Sequence, residues 1–284
     1  MSTGDGSLPA SERWERAVIA EQAQADRVRT AGDGGDHWRP LAHRFAAERR
    51  TEERRDDTVD ALLGLVRPED TVLDVGGGAG RIALPLAQKC RRVTVVEPSQ
   101  GMRDRLTEQV KSWGLKNVET VGARWEDAEV EPADVVICAH VVYTVTGIAR
   151  FLSKLRASSR RLVAIVVFEE PAMANYFPIW PLVYGEARLS LPAFRELKDV
   201  LNEMGIEFET RRLNEWGSRG FATRDEAKQE CMARLFISPG SEPERKLEAA
   251  MGSVLQMKDG RLHFTWTSAH RPWLVTFGAT PQDR

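Results

Sequence analysis

The sequence of 284 residues contains no long hydrophobic run, few cysteines and almost no net charge. Its longest uninterrupted apolar segment is the seven residues from Leu162 to Phe168, whereas a helix needs about 20 apolar residues to cross a bilayer. The sequence therefore argues against a membrane-spanning protein. Its first residues are small, polar or charged and lack the apolar stretch of a secretory signal, so we expect a cytoplasmic protein.

The cysteine content and the net charge argue against further classes of protein. The three cysteines, Cys90, Cys138 and Cys231, lie far apart in the sequence, so we expect neither a disulfide framework nor a metal site. Forty basic side chains are set against 42 acidic ones, which gives a formal net charge of −2. Because no overall positive field is available to hold a phosphate backbone, we expect a small-molecule substrate rather than nucleic acid. The composition leaves the oligomeric state open.

The chain is predicted to consist of an amino-terminal extension, residues 1–36, and a larger domain, residues 37–284. In the extension, Ser11 to Thr30 has the thin apolar stripe of a weakly amphipathic helix. The glycine-rich break at 32–36 predicts that this helix is detached from the domain or covers part of it.

From residue 71 onward, β-rich runs alternate with helical patterns. A first βαβ unit is predicted from the run Val72 to Val75, the helix Arg81 to Lys89 and the run Arg92 to Glu97. Such alternation predicts an α/β fold with a doubly wound, mainly parallel sheet and helices on both faces. Further strands are predicted at 118–121, 134–139, 162–168 and 206–213, and two strands that close the sheet at 261–267 and 273–277. Helices are predicted at 148–157 and from an N-cap at Ser99 to Gly114.

The carboxy-terminal third is predicted to add a substrate lid and a helical insertion. The lid, about 171–191, is too apolar and too rich in proline for a free surface loop, and it leaves the fifth strand. Its aromatic residues either line an apolar pocket or pack against the inserted helices: Tyr176, Phe177, Trp180 and Tyr184. In the insertion, about 218–258, helix starts are predicted at the capping boxes Thr223 to Glu226 and Ser241 to Glu244.

The most specific signal is the glycine loop after the first strand. Gly76, Gly78 and Gly80 would let a ligand lie against bare backbone where the next helix begins, which indicates an adenosine-bearing ligand. A dinucleotide fingerprint also fits, but only over 78–83, where its first glycine lies four residues beyond Asp74 rather than at the strand end. Glu97, 23 residues after Asp74, ends the next strand, where a carboxylate can accept hydrogen bonds from both ribose hydroxyls.

The register Asp74-x-Gly-x-Gly-x-Gly80, followed by Glu97-Pro98-Ser99 and Met102, resembles the motifs of the class I S-adenosylmethionine-dependent methyltransferases over about residues 60–170. The resemblance implies a Rossmann-like sheet of seven strands and S-adenosylmethionine as the cofactor. In that family the acid at the strand end faces the ligand's amino group, and the residues after the second acid flank the adenine. A carboxylate at Asp74 suits an ammonium and a sulfonium but would repel a pyrophosphate, which disfavours a nicotinamide cofactor.

A third element, Gly122 to Asp127, follows the third strand. The family commonly has an aspartate after this glycine, in contact with the adenine edge, whereas this sequence has Ala123. We therefore expect the polar contact with the adenine edge to be made by Arg124, by Glu126 or another acid of the loop, or by backbone amides. Trp125 either stacks on the adenine or anchors the core.

The fourth strand is predicted to end near Ala139, with His140 just past it, at the edge where an open α/β sheet places reacting groups. His140 is a candidate general base, since an imidazole titrates near neutral pH, or else a structural residue or a backbone contact to the cofactor. Tyr143 is a second catalytic candidate, and His37, Trp38 and Arg44 are candidates to cover the cofactor from the amino-terminal side.

The leading functional hypothesis is methyl transfer to oxygen, nitrogen or carbon of a small molecule. The Asn/Asp-Pro-Pro-Tyr/Phe sequence of methyltransferases that act on DNA adenine or protein glutamine is absent after the fourth strand, where Cys138-Ala-His140 stands. Two alternatives remain from the sequence: a non-catalytic or ribosome-associated protein that binds S-adenosylmethionine, and an NAD-dependent oxidoreductase.

Overall fold

The structure is a computed structural model that describes residues 8–29, 56–214, 220–266 and 271–279. The helices are α1 Ala10–Asp26, α2 Asp57–Leu65, α3 Ala83–Ala87, α4 Gln100–Trp113, α5 Ile148–Ala157, α6 Trp180–Tyr184, α7 Phe194–Glu203, α8 Arg224–Arg234 and α9 Glu242–Val254. The strands are β1 Thr71–Val75, β2 Arg92–Val96, β3 Val118–Val121, β4 Ala133–Ala139, β5 Ser159–Phe168, β6 Glu209–Arg212, β7 Leu255–Lys258, β8 Arg261–Phe264 and β9 Pro272–Gly278. Among the described residues, no helix is both long enough and apolar enough to cross a membrane.

Seven strands form one sheet in the order β3-β2-β1-β4-β5-β9-β6. Strands β1 to β5 pair in parallel, while β9 lies antiparallel between β5 and β6. This confirms the predicted doubly wound, mainly parallel sheet. The order reverses between β1 and β4, and in such sheets ligands bind in the crevice at the carboxyl ends of the strands beside the reversal.

Both faces of the sheet are buried, which explains why the central strands are apolar without interruption. Along β5, Val163, Ile165 and Val167 contribute to one core layer, together with residues of α1, α5 and α7. Ala164 and Val166, which alternate with them, belong to the opposite layer with residues of α2, α3 and α4. The carboxyl edge of the sheet is left for the loops that carry the site.

A second lobe, which comprises residues 172–184, α8, α9, β7 and β8, has its own apolar core. It lies at the carboxyl edge of the sheet, because its chain leaves from the ends of β5 and β6 and returns at Pro272, opposite Phe168. The prediction that 261–267 closes the main sheet is wrong, since β8 pairs with β7 in a separate two-stranded sheet. The missed signal is Asp259-Gly260, both with positive φ, a dipeptide typical of two-residue hairpin turns.

The predicted lid is part of this lobe. The Tyr184 hydroxyl donates a hydrogen bond to the backbone oxygen of Leu235 (2.7 Å), and the Tyr176 ring meets the Phe264 ring edge-on at 5.5 Å between centroids. Trp180 is fully buried in the same core. Of the two alternatives, the structure has the packing against the inserted elements for Tyr176, Trp180 and Tyr184.

Helix α1 packs on the domain at two places, so of the two alternatives for this helix the structure has the one in which it covers part of the domain. Near its start, Trp14 is buried and its indole N–H donates to the backbone oxygen of Val145 (2.8 Å). Near its end, the Gln24 side chain donates to Ala187 O and accepts from Leu189 N–H, both at 2.8 Å. The apolar stripe is thin because much of the attachment is made by hydrogen bonds, which hydrophobic periodicity does not report.

Trp14→Ala is expected to lower the free energy of unfolding by about 3–5 kcal/mol, because it removes a buried aromatic ring and leaves Val145 O without its donor. Urea denaturation followed by circular dichroism measures this change. Ile19→Ala is the matched control on the same helix, since Ile19 is 51% exposed and its truncation should change stability by no more than about 0.5 kcal/mol. Small and equal effects of the two substitutions would contradict the anchoring role of Trp14.

Candidate functional site

The carboxyl ends of β1, β2 and β4 meet around the glycine loop, residues 76–80. Gly76 has φ +70°, and a Cβ there would lie 2.5 Å from Cγ2 of Val141, so no other residue fits without movement. Gly78 also has positive φ, but a Cβ there would meet only the Met102 sulfur, at 3.8 Å. The backbone at Gly78 is therefore accessible for a ligand, with the thioether of Met102 beside it.

Glu97 joins the glycine loop to the end of β2. Its Oε2 accepts a hydrogen bond from Gly78 N–H (3.0 Å) and its Oε1 accepts one from Ser99 N–H (2.8 Å). The Ser99 hydroxyl in turn accepts from Met102 N–H (3.1 Å), which confirms the predicted N-cap of α4. Glu97 thus lies where the sequence places it, and its carboxylate also orients the loop.

Asp74 lies directly beneath the glycine loop and is 1% exposed. A Cβ on Gly77 would lie 2.5 Å from its Oδ2, an oxygen that has no hydrogen-bond partner among the described residues. Burial raises the pKa of Asp74 to about 7; the nearby Arg81 lowers it and the Glu97 charge raises it further. A cationic group placed against this oxygen would stabilise the ionised carboxylate, as the ammonium of S-adenosylmethionine would.

The loop after β3 carries Trp125 inward. Trp125 is 4% exposed, its indole N–H donates to Phe151 O (3.4 Å), and Lys154 Nζ lies 4.8 Å from its ring centroid. Of the two alternatives for Trp125, the structure therefore has the anchor in the core against α5, and not the ring open to an adenine. Arg124 and Glu126 stand in solvent and form a long ion pair of 3.9 Å.

Arg103, which the sequence reasoning missed, lies between the ends of β2 and β3. Its guanidinium donates to the backbone oxygens of Glu97 (2.6 Å) and Pro98 (2.8 Å), and a Cβ on Gly122 would lie 3.0 Å from its Cζ. The arginine is in the first turn of α4, in a position that motif spacing does not single out. It fixes the backbone next to Pro98, which is itself exposed at the expected adenine side.

His140 follows β4 directly after Ala139. Its backbone N–H donates to Val166 O (2.8 Å), and its φ of +60° is uncommon for a residue with a side chain. The imidazole stacks on the Phe168 ring with 4.1 Å between centroids, and Nδ1 lies 3.2 Å from the Tyr143 hydroxyl oxygen. Backbone strain of this kind is concentrated at functional sites.

Tyr143 belongs to the core below His140. Its hydroxyl oxygen accepts a hydrogen bond from Phe168 N–H (2.7 Å), and burial raises the pKa of the phenol above its ordinary value. The phenol consequently stays protonated, which argues against the predicted catalytic role of Tyr143. The further candidates His37, Trp38 and Arg44 lie outside the described residues.

Residues 72–161 match the family described as "Methyltransferase domain". An uncharacterized protein of Haemophilus influenzae is 25% identical over 183 residues, which cover 64% of this chain and 66% of that protein. Ribosomal RNA small subunit methyltransferase G of Mycolicibacterium smegmatis is 33% identical over 129 residues, which cover 44% of this chain and 54% of the relative. The chain thus spans less than two thirds of the length of either relative.

Two solved structures share the fold. The YcgJ protein of Bacillus subtilis aligns with a TM-score of 0.55 at 12% identity, over 79% of this chain and 99% of that one. Magnesium protoporphyrin IX methyltransferase of Synechocystis, solved with bound SAH, aligns with a TM-score of 0.53 at 13% identity, over 92% of this chain and 99% of that one. These alignments confirm the predicted fold, and the family match supports the resemblance seen in the sequence over residues 72–161.

The raised pKa of Asp74 predicts a pH-dependent loss of stability. Because the folded-state pKa of about 7 lies above the ordinary 3.8, the folded protein binds more protons than the unfolded chain between these values. The free energy of unfolding should fall as pH rises through this window, by on the order of 4 kcal/mol from this group, and somewhat more than half of this loss should occur between pH 5 and pH 8.

Urea denaturation at pH 5 and pH 8 of the wild type and of Asp74→Asn measures this loss. The asparagine does not ionise, so the variant should gain stability relative to the wild type as pH rises. If the stability difference between the two proteins is the same at both pH values, the raised pKa of Asp74 is contradicted.

Proposed function

We propose that this chain, whose residues 72–161 form a class I S-adenosylmethionine-dependent methyltransferase domain, transfers a methyl group to a small molecule. The buried Asp74 carboxyl beneath the glycine loop carries the proposal, because its Oδ2 has no partner among the described residues and would be stabilised by the donor's ammonium. A dinucleotide would place its phosphate groups beside this loop, and the Asp74 carboxylate would repel their negative charges.

Further residues are proposed to contact S-adenosylmethionine because of their positions around the crevice. Glu97 would accept hydrogen bonds from the ribose hydroxyls, with Gly78 N–H beside it, and Pro98 and Met102 would flank the adenine. Arg103 would keep the backbone at Pro98 in place, and Arg124 or Glu126 would reach the adenine edge. The remaining proposed contacts are Gly76, Gly80, Ala139 and the backbone of His140.

The bound donor supplies a methyl group made electrophilic by the positive sulfur. The protein has to align the acceptor with that methyl group and exclude water, so no covalent nucleophile is required. The glycine loop and Glu97 would hold the donor, His140 is fixed at the end of β4, and the chain of the second lobe leaves the sheet at its carboxyl edge.

The position of the lobe favours an acceptor of limited size. Both of its chain segments depart from the edge that carries the crevice, at Phe168 and Arg212, and its core is packed with aromatic and aliphatic residues. The net charge of −2 gives little general attraction for a polyphosphate chain. We therefore favour a metabolite as the acceptor.

Methyl transfer to ribosomal RNA is the second candidate. It is favoured by the relative from Mycolicibacterium smegmatis, whose name states that activity, although the match covers 54% of that protein. A protein that binds the donor without turnover is a third possibility, and the experiments below separate the three.

Asp74→Asn and Glu97→Gln are each expected to weaken binding of S-adenosylhomocysteine by about 5- to 100-fold, because each removes a charge-assisted hydrogen bond. Isothermal titration calorimetry measures the change. Glu119→Gln is the matched control, because Glu119 on β3 has a side chain that is 61% exposed and lies outside the crevice. Unchanged affinity in both site variants, or tighter binding of NAD than of S-adenosylhomocysteine by the wild type, would reject the proposed cofactor site.

The acceptor class can be tested with methyl-labelled S-adenosylmethionine. The protein is incubated separately with a deproteinised metabolite extract and with purified small ribosomal subunits, and the label is followed into each fraction. We expect label in the metabolite fraction and not in RNA. Label in ribosomal RNA would establish the second candidate, and donor binding without label in either fraction would favour the non-catalytic alternative.

A further inference from the structure

Two hydrogen bonds connect the backbone of β5 to the imidazole at the end of β4. The Phe168 N–H donates to the Tyr143 hydroxyl oxygen at 2.7 Å, and the same oxygen lies 3.2 Å from His140 Nδ1. Tyr143 is 8% exposed, so water has little access to its hydroxyl group. The direction of the second hydrogen bond decides where His140 carries its proton.

The direction follows from the donors and acceptors that Tyr143 has available. A phenol has one proton to donate and lone pairs to accept with. The Phe168 amide can only donate, so it occupies a lone pair, and the Tyr143 proton then needs an acceptor. Among the described residues, the only acceptor within hydrogen-bond distance of this hydroxyl is His140 Nδ1. Burying a hydroxyl proton without an acceptor is costly.

We propose that Tyr143 donates its hydroxyl proton to Nδ1 of His140 and thereby keeps the imidazole neutral with its own proton on Nε2. Tyr143 is then a positioning residue, and His140 presents an N–H donor, not a lone pair, at the end of β4. The positive φ of His140 and the stacking of its ring on Phe168 hold the imidazole in the orientation that this hydrogen bond requires.

This assignment changes the chemistry expected of His140, a consequence that rests on the proposed methyl transfer. A general base needs a lone pair on a ring nitrogen, but in this tautomer Nδ1 accepts the Tyr143 proton and Nε2, a buried nitrogen, carries the proton of the ring. The site then suits an acceptor that arrives ionised, such as a carboxylate or an acidic phenol. Its oxygen lone pair forms the bond to the methyl carbon, the carbon–sulfur bond breaks, and that electron pair stays on sulfur, so no proton has to be removed. The Nε2–H can donate a hydrogen bond to such an anion.

Nuclear magnetic resonance tests the tautomer without donor or acceptor. The full chain is labelled with ¹⁵N-histidine, and a long-range ¹H–¹⁵N correlation at pH 7.5 shows which ring nitrogen of each histidine carries a proton. His140→Gln identifies the His140 signals among those of the five histidines. We expect neutral His140 with protonated Nε2, and a shift towards the other tautomer in Tyr143→Phe.

Tyr184→Phe is the matched control, because it also removes a tyrosine hydroxyl that makes a hydrogen bond, but a partly buried one that donates to Leu235 O in the second lobe. It should leave the His140 signals unchanged. Protonated Nδ1 in the wild type would overturn the proposal even if Tyr143→Phe failed to fold. An unchanged tautomer in a folded Tyr143→Phe would overturn the positioning role.

Comparison of two variants tests the role of His140 in the labelled-donor assay. Glutamine places an N–H donor near the position of Nε2 but is no base, so His140→Gln should keep at least about tenfold more methyl transfer than His140→Ala. Equal loss in both would overturn the donor role. Failure of the proposed function would be seen separately, as absent binding of S-adenosylhomocysteine by the wild type, and it would leave the tautomer result intact.

Discussion

The crevice depends on one costly feature, a carboxyl group buried at the end of β1. Asp74 is covered by the glycine loop, and the second carboxylate, Glu97, raises its pKa further. Gly78 N–H satisfies Glu97 but nothing described satisfies Asp74 Oδ2. A protein under selection for stability alone would replace Asp74, so the residue at this position accords with the proposed binding of the donor's ammonium. Gly77 follows from the same constraint, because a larger residue there would displace the carboxyl.

The sheet and many helix bounds were predictable, because the signals for them are local. Strand β3 and helix α5 have the predicted bounds, and Ser99, Thr223 and Ser241 each accept the amide hydrogen bond expected of an N-cap. Hydrophobic period and capping chemistry involve residues within a few positions of one another. The glycine loop and the two acids were predictable for a related reason, since each follows directly on a strand end.

The features that sequence reasoning missed depend on contacts between distant segments. The ring of Trp125 could face either a base or the core, and its position against Phe151 of α5 decides for the core. Arg103 acquires its place only when β2 and β3 are side by side. The role of Tyr143 depends on the Phe168 amide, 25 residues later in the sequence. None of these pairings leaves a periodic or spaced pattern that a single sequence could reveal.

Helix α1 fixes the spacing of two distant segments of the chain. Trp14 holds the loop two residues after Tyr143, and Gln24 holds the segment at 187–189 that follows α6, so ten helical residues, about 15 Å, separate the two attachments. A helix of that length is stiff and acts as a spacer between the loop that follows Tyr143 and the segment that follows α6. The distance between these two segments is therefore set by an element outside residues 72–161, the part matched to the family. Lengthening or re-registering this helix would change that distance while every residue proposed to touch the cofactor stays the same.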